Sequence, residues 1–174
     1  MASLLVKAFV RDCEQVGDTR VRARYGTLSG AVGIAANVLL FAAKLAVGTL
    51  AGSVSIVADA VNNLSDAGSS IISLLGFKIS EKPADRDHPF GHGRIEYISA
   101  LIVSFIIMLV GFQLFTGSID KIIAPEPLSF NFALIGILLL STLIKVWMFL
   151  YNRYLGNKIN SEVLRASATD SLND

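Results

Sequence analysis

The residues with the most distinctive chemistry are acidic and amide side chains at helical spacing within an otherwise apolar segment. Asp59, Asn63 and Asp66 occupy positions i, i+4 and i+7 between Val54 and Phe77, so they fall on one face of a helix. A carboxylate at membrane depth costs about 2.5 to 3.5 kcal/mol. Two such groups on one helix need a compensating partner, and a cation held by their oxygen atoms is one candidate.

The same side chains also allow a structural interpretation, in which amide and hydroxyl groups join helices by hydrogen bonds. This interpretation suits Asn62 and the neighbouring serines. Asp59 favours the cation, because a hydrogen bond between helices does not require a full negative charge. For Asp66 two roles stay open: a metal ligand, or a partner for Lys44 or another buried group.

A second pair of carboxylates, Asp170 and Asp174, again has i, i+4 spacing. Two helices that each offer a pair of oxygen ligands can enclose one cation in four-fold coordination, which neither helix could do alone. We therefore expect a metal site formed by Asp59, Asn63, Asp170 and Asp174. If Asp170 and Asp174 belong to a solvated tail, this site does not form.

A loop concentrates the chain's two histidines, His88 and His92, near Asp85 and Asp87. Carboxylate and imidazole ligands suit zinc and other transition metals. Asp and His side chains also stabilise turns that contain Gly and Pro, through hydrogen bonds to the backbone. Spacing alone leaves a metal site and a hydrogen-bonded turn equally open.

The elements that position these residues are predicted to be membrane helices, since 53% of the 174 residues are hydrophobic and only 17% are charged. A spanning helix needs about 20 mostly apolar residues. We predict an N-terminal arm at 1–26 and a partial transmembrane transport domain at 27–174. The fold class is an all-α membrane protein, a transmembrane helix bundle with four complete spans and the start of a fifth, located as follows: 27–50, 54–77, 97–119, 127–151 and from 163 onward.

Charge gives the expected orientation. Basic residues precede the first span and recur in the loop after the second, whereas the turn between these spans has none, so the positive-inside rule places the N-terminus in the cytoplasm. Lys145, near the predicted end of its span at Tyr151, is expected to snorkel towards the headgroups. The net charge of +1 gives no electrostatic argument for a nucleic acid partner, and the single Cys13 excludes an intramolecular disulfide.

Three stretches of the sequence resemble the membrane-domain signatures of the cation diffusion facilitator family, in the same order and spacing. They are GSVSIVADAVNNLSD at 52–66, HPFGHGRIE at 88–96 and LRASATDSLND at 164–174. Each motif alone is only suggestive, but together they are highly specific, and the similarity extends from about residue 25 to the end.

The resemblance implies a homodimeric, six-helix antiporter in the plasma membrane that exports divalent metal ions in exchange for protons and needs no other cofactor. In this family a soluble metal-binding domain usually follows the membrane helices. The family's transport site maps onto the same four residues deduced above, Asp59, Asn63, Asp170 and Asp174. Its loop site, present in some members, maps onto Asp85, His88 and His92, which favours metal binding there.

The sequence departs from the family pattern in ways that bear on the metal. Zinc-selective members place His where this chain has Asp170, and many members have Asp where it has Asn63. An all-oxygen ligand set suits harder ions, so we expect manganese, with zinc, iron and cobalt as further possibilities. We also expect that the chain stops within its fifth span. The alternative function is a non-transporting metal-binding sensor or an inactive fragment. No motif indicates an enzyme.

Overall fold

The computed structural model describes residues 6, 9, 10, 13–123 and 132–174, and these residues contain no β-strand. Within these residues, four long helices and a shorter fifth follow one another: α1 Thr19–Leu50, α2 Val54–Ser80, α3 Ile95–Ile123, α4 Phe132–Ile159 and α5 Glu162–Asn173. The all-helical prediction is confirmed. Much of the predicted arm, and the start of the predicted fourth span at 127–131, lie outside the described residues.

Among the described residues, three helical segments are long and apolar enough to cross a membrane, namely Thr19–Leu50, Ile95–Ile119 and Leu134–Ile159. Helix α2 has 27 residues, which corresponds to about 40 Å at 1.5 Å per residue. It is therefore long enough as well, but its polar residues keep it out of the group defined by hydropathy. A helix of this kind needs neighbours that cover its polar face, and α1 packs along it.

A short turn joins α1 and α2. Gly52 has a φ of +64°, a left-handed conformation that glycine adopts without strain. The Ser53 side chain then accepts a hydrogen bond from the Ile56 N–H at 3.4 Å and caps the first turn of α2. This turn makes α1 and α2 an antiparallel pair.

Small residues allow α1 and α2 to approach closely. A Cβ atom on Gly30 would lie 2.7 Å from Cβ and 3.2 Å from Cα of Leu74, and one on Gly33 would lie 2.6 Å from Oγ of Ser70. Gly26 in the same way faces the ring of Phe77. Three glycines on one face of α1 thus permit backbone contact along α2, as is common between membrane helices.

At the opposite end from this turn, an ionic contact joins three helices. The Arg22 guanidinium of α1 lies 3.0 Å from the Glu96 carboxylate at the start of α3, and it also donates to the Ile159 carbonyl at the end of α4. A buried cluster that includes Tyr25, Phe77 and Leu155 packs directly beside it.

A tight reversal joins α4 and α5. Asn160 has a φ of 52°, a left-handed conformation typical of helix ends. The Ser161 N–H then donates to the Gly156 carbonyl at 2.9 Å. Helix α5 consequently runs back along α4. Since Lys145 and Asp174 lie at similar chain distances on either side of this turn, both are about 20 Å from it along their helices.

We expect Gly30→Ala to destabilise the bundle, because the added methyl group would meet rigid backbone and Cβ atoms of α2. Overpacking of this kind typically costs about 1 to 3 kcal/mol. The measurement is the thermal unfolding midpoint of the protein in detergent. Gly68→Ala is the matched control, since a Cβ there has no neighbour within 4 Å. An equal midpoint for the two variants would contradict the close approach of α1 and α2.

Candidate metal centre

The polar face of α2 carries two carboxylates, and each is paired with a lysine from another helix. Asp59 lies 2.8 Å from the Lys44 ammonium of α1, and Asp66 lies 2.6 Å from that of Lys145 on α4. Both lysines and Asp66 are buried, whereas the Asp59 side chain is 36% exposed. The possible pairing of Asp66 with Lys44 is thus not found. Asp66 is paired instead with another buried group, Lys145, which is the alternative that the sequence had left open.

The position of Lys145 corrects a prediction. The sequence indicated a span that ends near Tyr151, close enough for Lys145 to reach the headgroups. Helix α4 instead continues to Ile159, which leaves Lys145 near its midpoint, and the residue is only 5% exposed. Its ammonium contacts the carboxylates of both Asp66 and Asp174. The lysine is therefore part of the acidic site.

The carboxylates of α5 join Asp66. Asp66, Asp170 and Asp174 each place one oxygen atom so that all three lie within 4.8 Å of one another. Asp170 is half-buried and the Asp174 side chain is 18% exposed. This arrangement brings two of the four predicted ligands, Asp170 and Asp174, into one cluster. Asp59 is not a member of that cluster and contacts Lys44 instead.

Asn63, the remaining predicted ligand, lies one helical turn from both Asp59 and Asp66. It is 1% exposed, and its Oδ1 atom has no hydrogen-bond partner among the described residues. A buried acceptor without a partner costs about 1 to 3 kcal/mol, so such atoms usually serve a ligand, an ion or a water molecule. Asn63 therefore offers a neutral oxygen on the polar face of α2.

This cluster has the donor set of a hard divalent cation. Its three carboxylates supply oxygen atoms only, and within the described part of the chain no histidine or cysteine joins them. Asn63, one helical turn from Asp66 on α2, offers a neutral oxygen without a hydrogen-bond partner among the described residues. Carboxylate and carbonyl ligands suit magnesium, calcium and manganese, whereas imidazole and thiolate favour zinc and copper. The predicted four-residue site remains a prediction, with Asp66 as an additional carboxylate that the sequence had left open.

The loop prediction concerned Asp85, His88 and His92, and the structure brings these side chains together. Asp85 lies 3.2 Å from Nδ1 of His88 and 3.6 Å from Nε2 of His92. A tetrahedral zinc ion with ligands at about 2.0 to 2.2 Å places neighbouring ligand atoms about 3.3 Å apart. The two separations from Asp85 are close to this value, and the three side chains each offer a ligand atom within 4.8 Å of the others.

Hydrogen bonds within the loop favour the ionised form of Asp85 and determine which ring nitrogen of His92 carries a proton. The His88 backbone N–H donates to Asp85 at 2.7 Å and lowers the pKa of that carboxyl group below its ordinary value, so Asp85 is ionised at neutral pH. His92 Nδ1 lies 3.2 Å from the Pro83 carbonyl, which can only accept, so this nitrogen carries the proton. The Nε2 atom of neutral His92 is then available as a ligand.

Comparison with known proteins adds independent information. Residues 31–174 match the family model described as the cation efflux transmembrane domain. The manganese efflux system protein MneS of Bacillus subtilis is 37% identical over 147 residues, which cover 84% of this chain and 51% of that protein. The cation-efflux pump FieF of Salmonella paratyphi A is 33% identical over 145 residues, 82% of this chain and 48% of that protein.

A third similar protein is the magnetosome protein MamM of Magnetospirillum gryphiswaldense. It is 32% identical over 143 residues, which cover 80% of this chain and 44% of that protein. The chain thus spans about half the length of the curated relatives it matches.

For the loop, we expect His88→Gln to remove one zinc site without disturbing the fold, since the His88 side chain is 56% exposed. Calorimetric titration of the detergent-solubilised protein with Zn²⁺ should show the loop event weakened at least tenfold. Asp87→Asn, an exposed change in the same loop, is the control. If both variants titrate like the parent protein, the loop is a hydrogen-bonded turn and not a metal site.

Proposed function

The chain belongs to the cation efflux family, and from this membership we propose that it carries divalent metal cations out of the cytoplasm. The residues that match the family model include every member of both candidate metal sites. The proposal concerns the activity of a whole protein, and this chain spans about half the length of the curated relatives it matches.

One observation carries the proposal: three carboxylates from two helices converge inside a bundle of membrane helices. Asp66, Asp170 and Asp174 have oxygen atoms within 4.8 Å of one another, and one ammonium group accompanies them. Each carboxylate at membrane depth costs about 2.5 to 3.5 kcal/mol. A protein that maintains such a cluster needs a cation there, and a transported divalent metal meets that need.

We propose that Asn63, Asp170 and Asp174 bind the metal, with Asp59 as the fourth ligand predicted from the sequence. The support for the first three is the unpartnered Asn63 oxygen and the convergence of the α5 carboxylates. Asp59 would have to separate from Lys44 before it could contribute. Its participation therefore belongs to a different conformational state of the transport cycle.

Manganese is the cargo we propose. The oxygen-only donor set favours hard cations over zinc, because zinc sites usually include histidine or cysteine. MneS, which is named as a manganese efflux protein, is among the similar proteins. Iron, cobalt and zinc are secondary candidates, since metal availability also determines which ion a site carries.

We further propose that metal moves outward while protons move inward, and that two copies of the protein form a homodimer in the plasma membrane. The family resemblance supports the exchange with protons and the dimer. The distribution of basic residues supports a cytoplasmic N-terminus. Alternating access then requires two states that differ in their affinity for the metal.

The test of this function is transport by purified protein in liposomes that contain a fluorescent Mn²⁺ indicator. Asp170→Asn removes one charge and one ligand oxygen from the cluster, so we expect Mn²⁺ flux to fall at least tenfold. The control is Glu162→Gln, an equivalent change on the same helix. Glu162 is exposed and pairs with Arg165, outside the cluster.

Flux at the parental rate in Asp170→Asn would contradict the assignment of the site. If the parent protein binds Mn²⁺ but moves none, while a known exporter in parallel liposomes does, the transport proposal fails and the sensor alternative is favoured.

A further inference from the structure

Lys145 occupies an unusual place for a lysine. It lies near the middle of a predicted membrane span and is 5% exposed. Its ammonium contacts Asp66 of α2 at 2.6 Å and also contacts Asp174 at the end of α5. A cation in the proposed transport site must join the same two helices. The ammonium therefore already occupies part of the position that the cargo would take.

The formal charges of the cluster make the same point. Asp66, Asp170 and Asp174 carry three negative charges when ionised and Lys145 carries one positive charge, which leaves −2. One divalent cation balances this difference. If Asp66 keeps Lys145, the two α5 carboxylates alone match the charge of the metal.

We propose that Lys145 is a tethered competitor of the metal, which gives up Asp174 when the ion binds and returns to Asp174 as the ion leaves. This inference rests on the proposed function and adds a positioning residue to it. Between the two events the ammonium stays with Asp66, which thus serves as its anchor. Repulsion between the ammonium and the divalent ion weakens binding and speeds release.

The chemistry of lysine suits this exchange. Its ammonium is a compact charge on a flexible four-carbon chain, so it can shift between two neighbouring carboxylates without a change in the backbone. It binds carboxylates without the fixed two-pronged geometry of arginine. Lys44 has the same chemistry but a different position, because its ion pair with Asp59 lies outside the cluster of three carboxylates.

A purely structural ion pair would give a different result on mutation. Removing a buried lysine that only holds helices together leaves its carboxylate partners uncompensated and loosens the bundle. Metal affinity and transport would then fall together. Removing a competitor should instead raise the affinity for the metal and slow its turnover. A merely structural role does not produce tighter binding together with slower transport.

The experiment compares Lys145→Gln, Lys145→Arg and the control Lys78→Gln, which removes an exposed lysine near the end of α2. Mn²⁺ affinity is measured in detergent from the electron paramagnetic resonance signal of the free ion, and turnover in liposomes. We expect Lys145→Gln to bind Mn²⁺ at least tenfold more tightly and to turn over at least tenfold more slowly. Lys78→Gln should stay within threefold of the parent in both measurements, and Lys145→Arg, which keeps the positive charge, should bind Mn²⁺ no more tightly than the parent.

A second comparison covers the case in which Lys145→Gln does not fold. The double variant Asp66→Asn/Lys145→Gln removes both members of the ion pair, which is milder than breaking it. It should bind Mn²⁺ at least fivefold more tightly than Asp66→Asn alone. Equal or weaker affinity without the lysine, in either comparison, would overturn the proposal.

The affinity measurement does not depend on transport. Tighter binding by Lys145→Gln in a protein that moves no Mn²⁺ would support the competitor and reject the transport function. Normal transport by the parent protein, together with unchanged Mn²⁺ affinity in Lys145→Gln, would support the transport function and reject the competitor.

Discussion

Charged groups inside the helix bundle can be maintained only in balanced sets, and the rest of the structure follows from this requirement. Asp59 and Asp66 each have a lysine from a neighbouring helix, Lys44 on α1 and Lys145 on α4. Removal of one partner from a buried ion pair, as Asp66–Lys145 is, typically costs about 3 to 5 kcal/mol. Helix α2 therefore depends on α1 and α4 for its charge balance, and α4 depends on the carboxylates of α2 and α5.

Backbone geometry determines which charges meet. The left-handed turn at Asn160 directs α5 back along α4, and this places Asp174 at the level of Lys145. Glycines on α1, including Gly30 and Gly33, let α2 approach closely enough for its polar face to be covered. These features explain why a helix with two carboxylates can lie among spans that are strongly apolar.

Much of this organisation could be predicted from the sequence. Apolar runs located the helices, and i, i+4 spacing identified the carboxylates of both acidic helices. The loop residues that spacing singled out, Asp85, His88 and His92, do lie together. Periodicity shows which residues share a face of one helix, but not which neighbouring helix covers that face. The lysine partners of Asp59 and Asp66 therefore could not be predicted from periodicity. Lys145 was misplaced because nothing in the apolar pattern shows that α4 continues to Ile159.

We propose that a divalent metal bridges α2 and α5 at the place where Lys145 contacts Asp174. The most direct measurement is anomalous X-ray diffraction from crystals of the protein grown with Mn²⁺. We expect a manganese peak in contact with Asn63, Asp170 and Asp174, with the Lys145 ammonium bound to Asp66 alone. A map in which manganese occupies only the histidine loop, while Lys145 still contacts both Asp66 and Asp174, would contradict it.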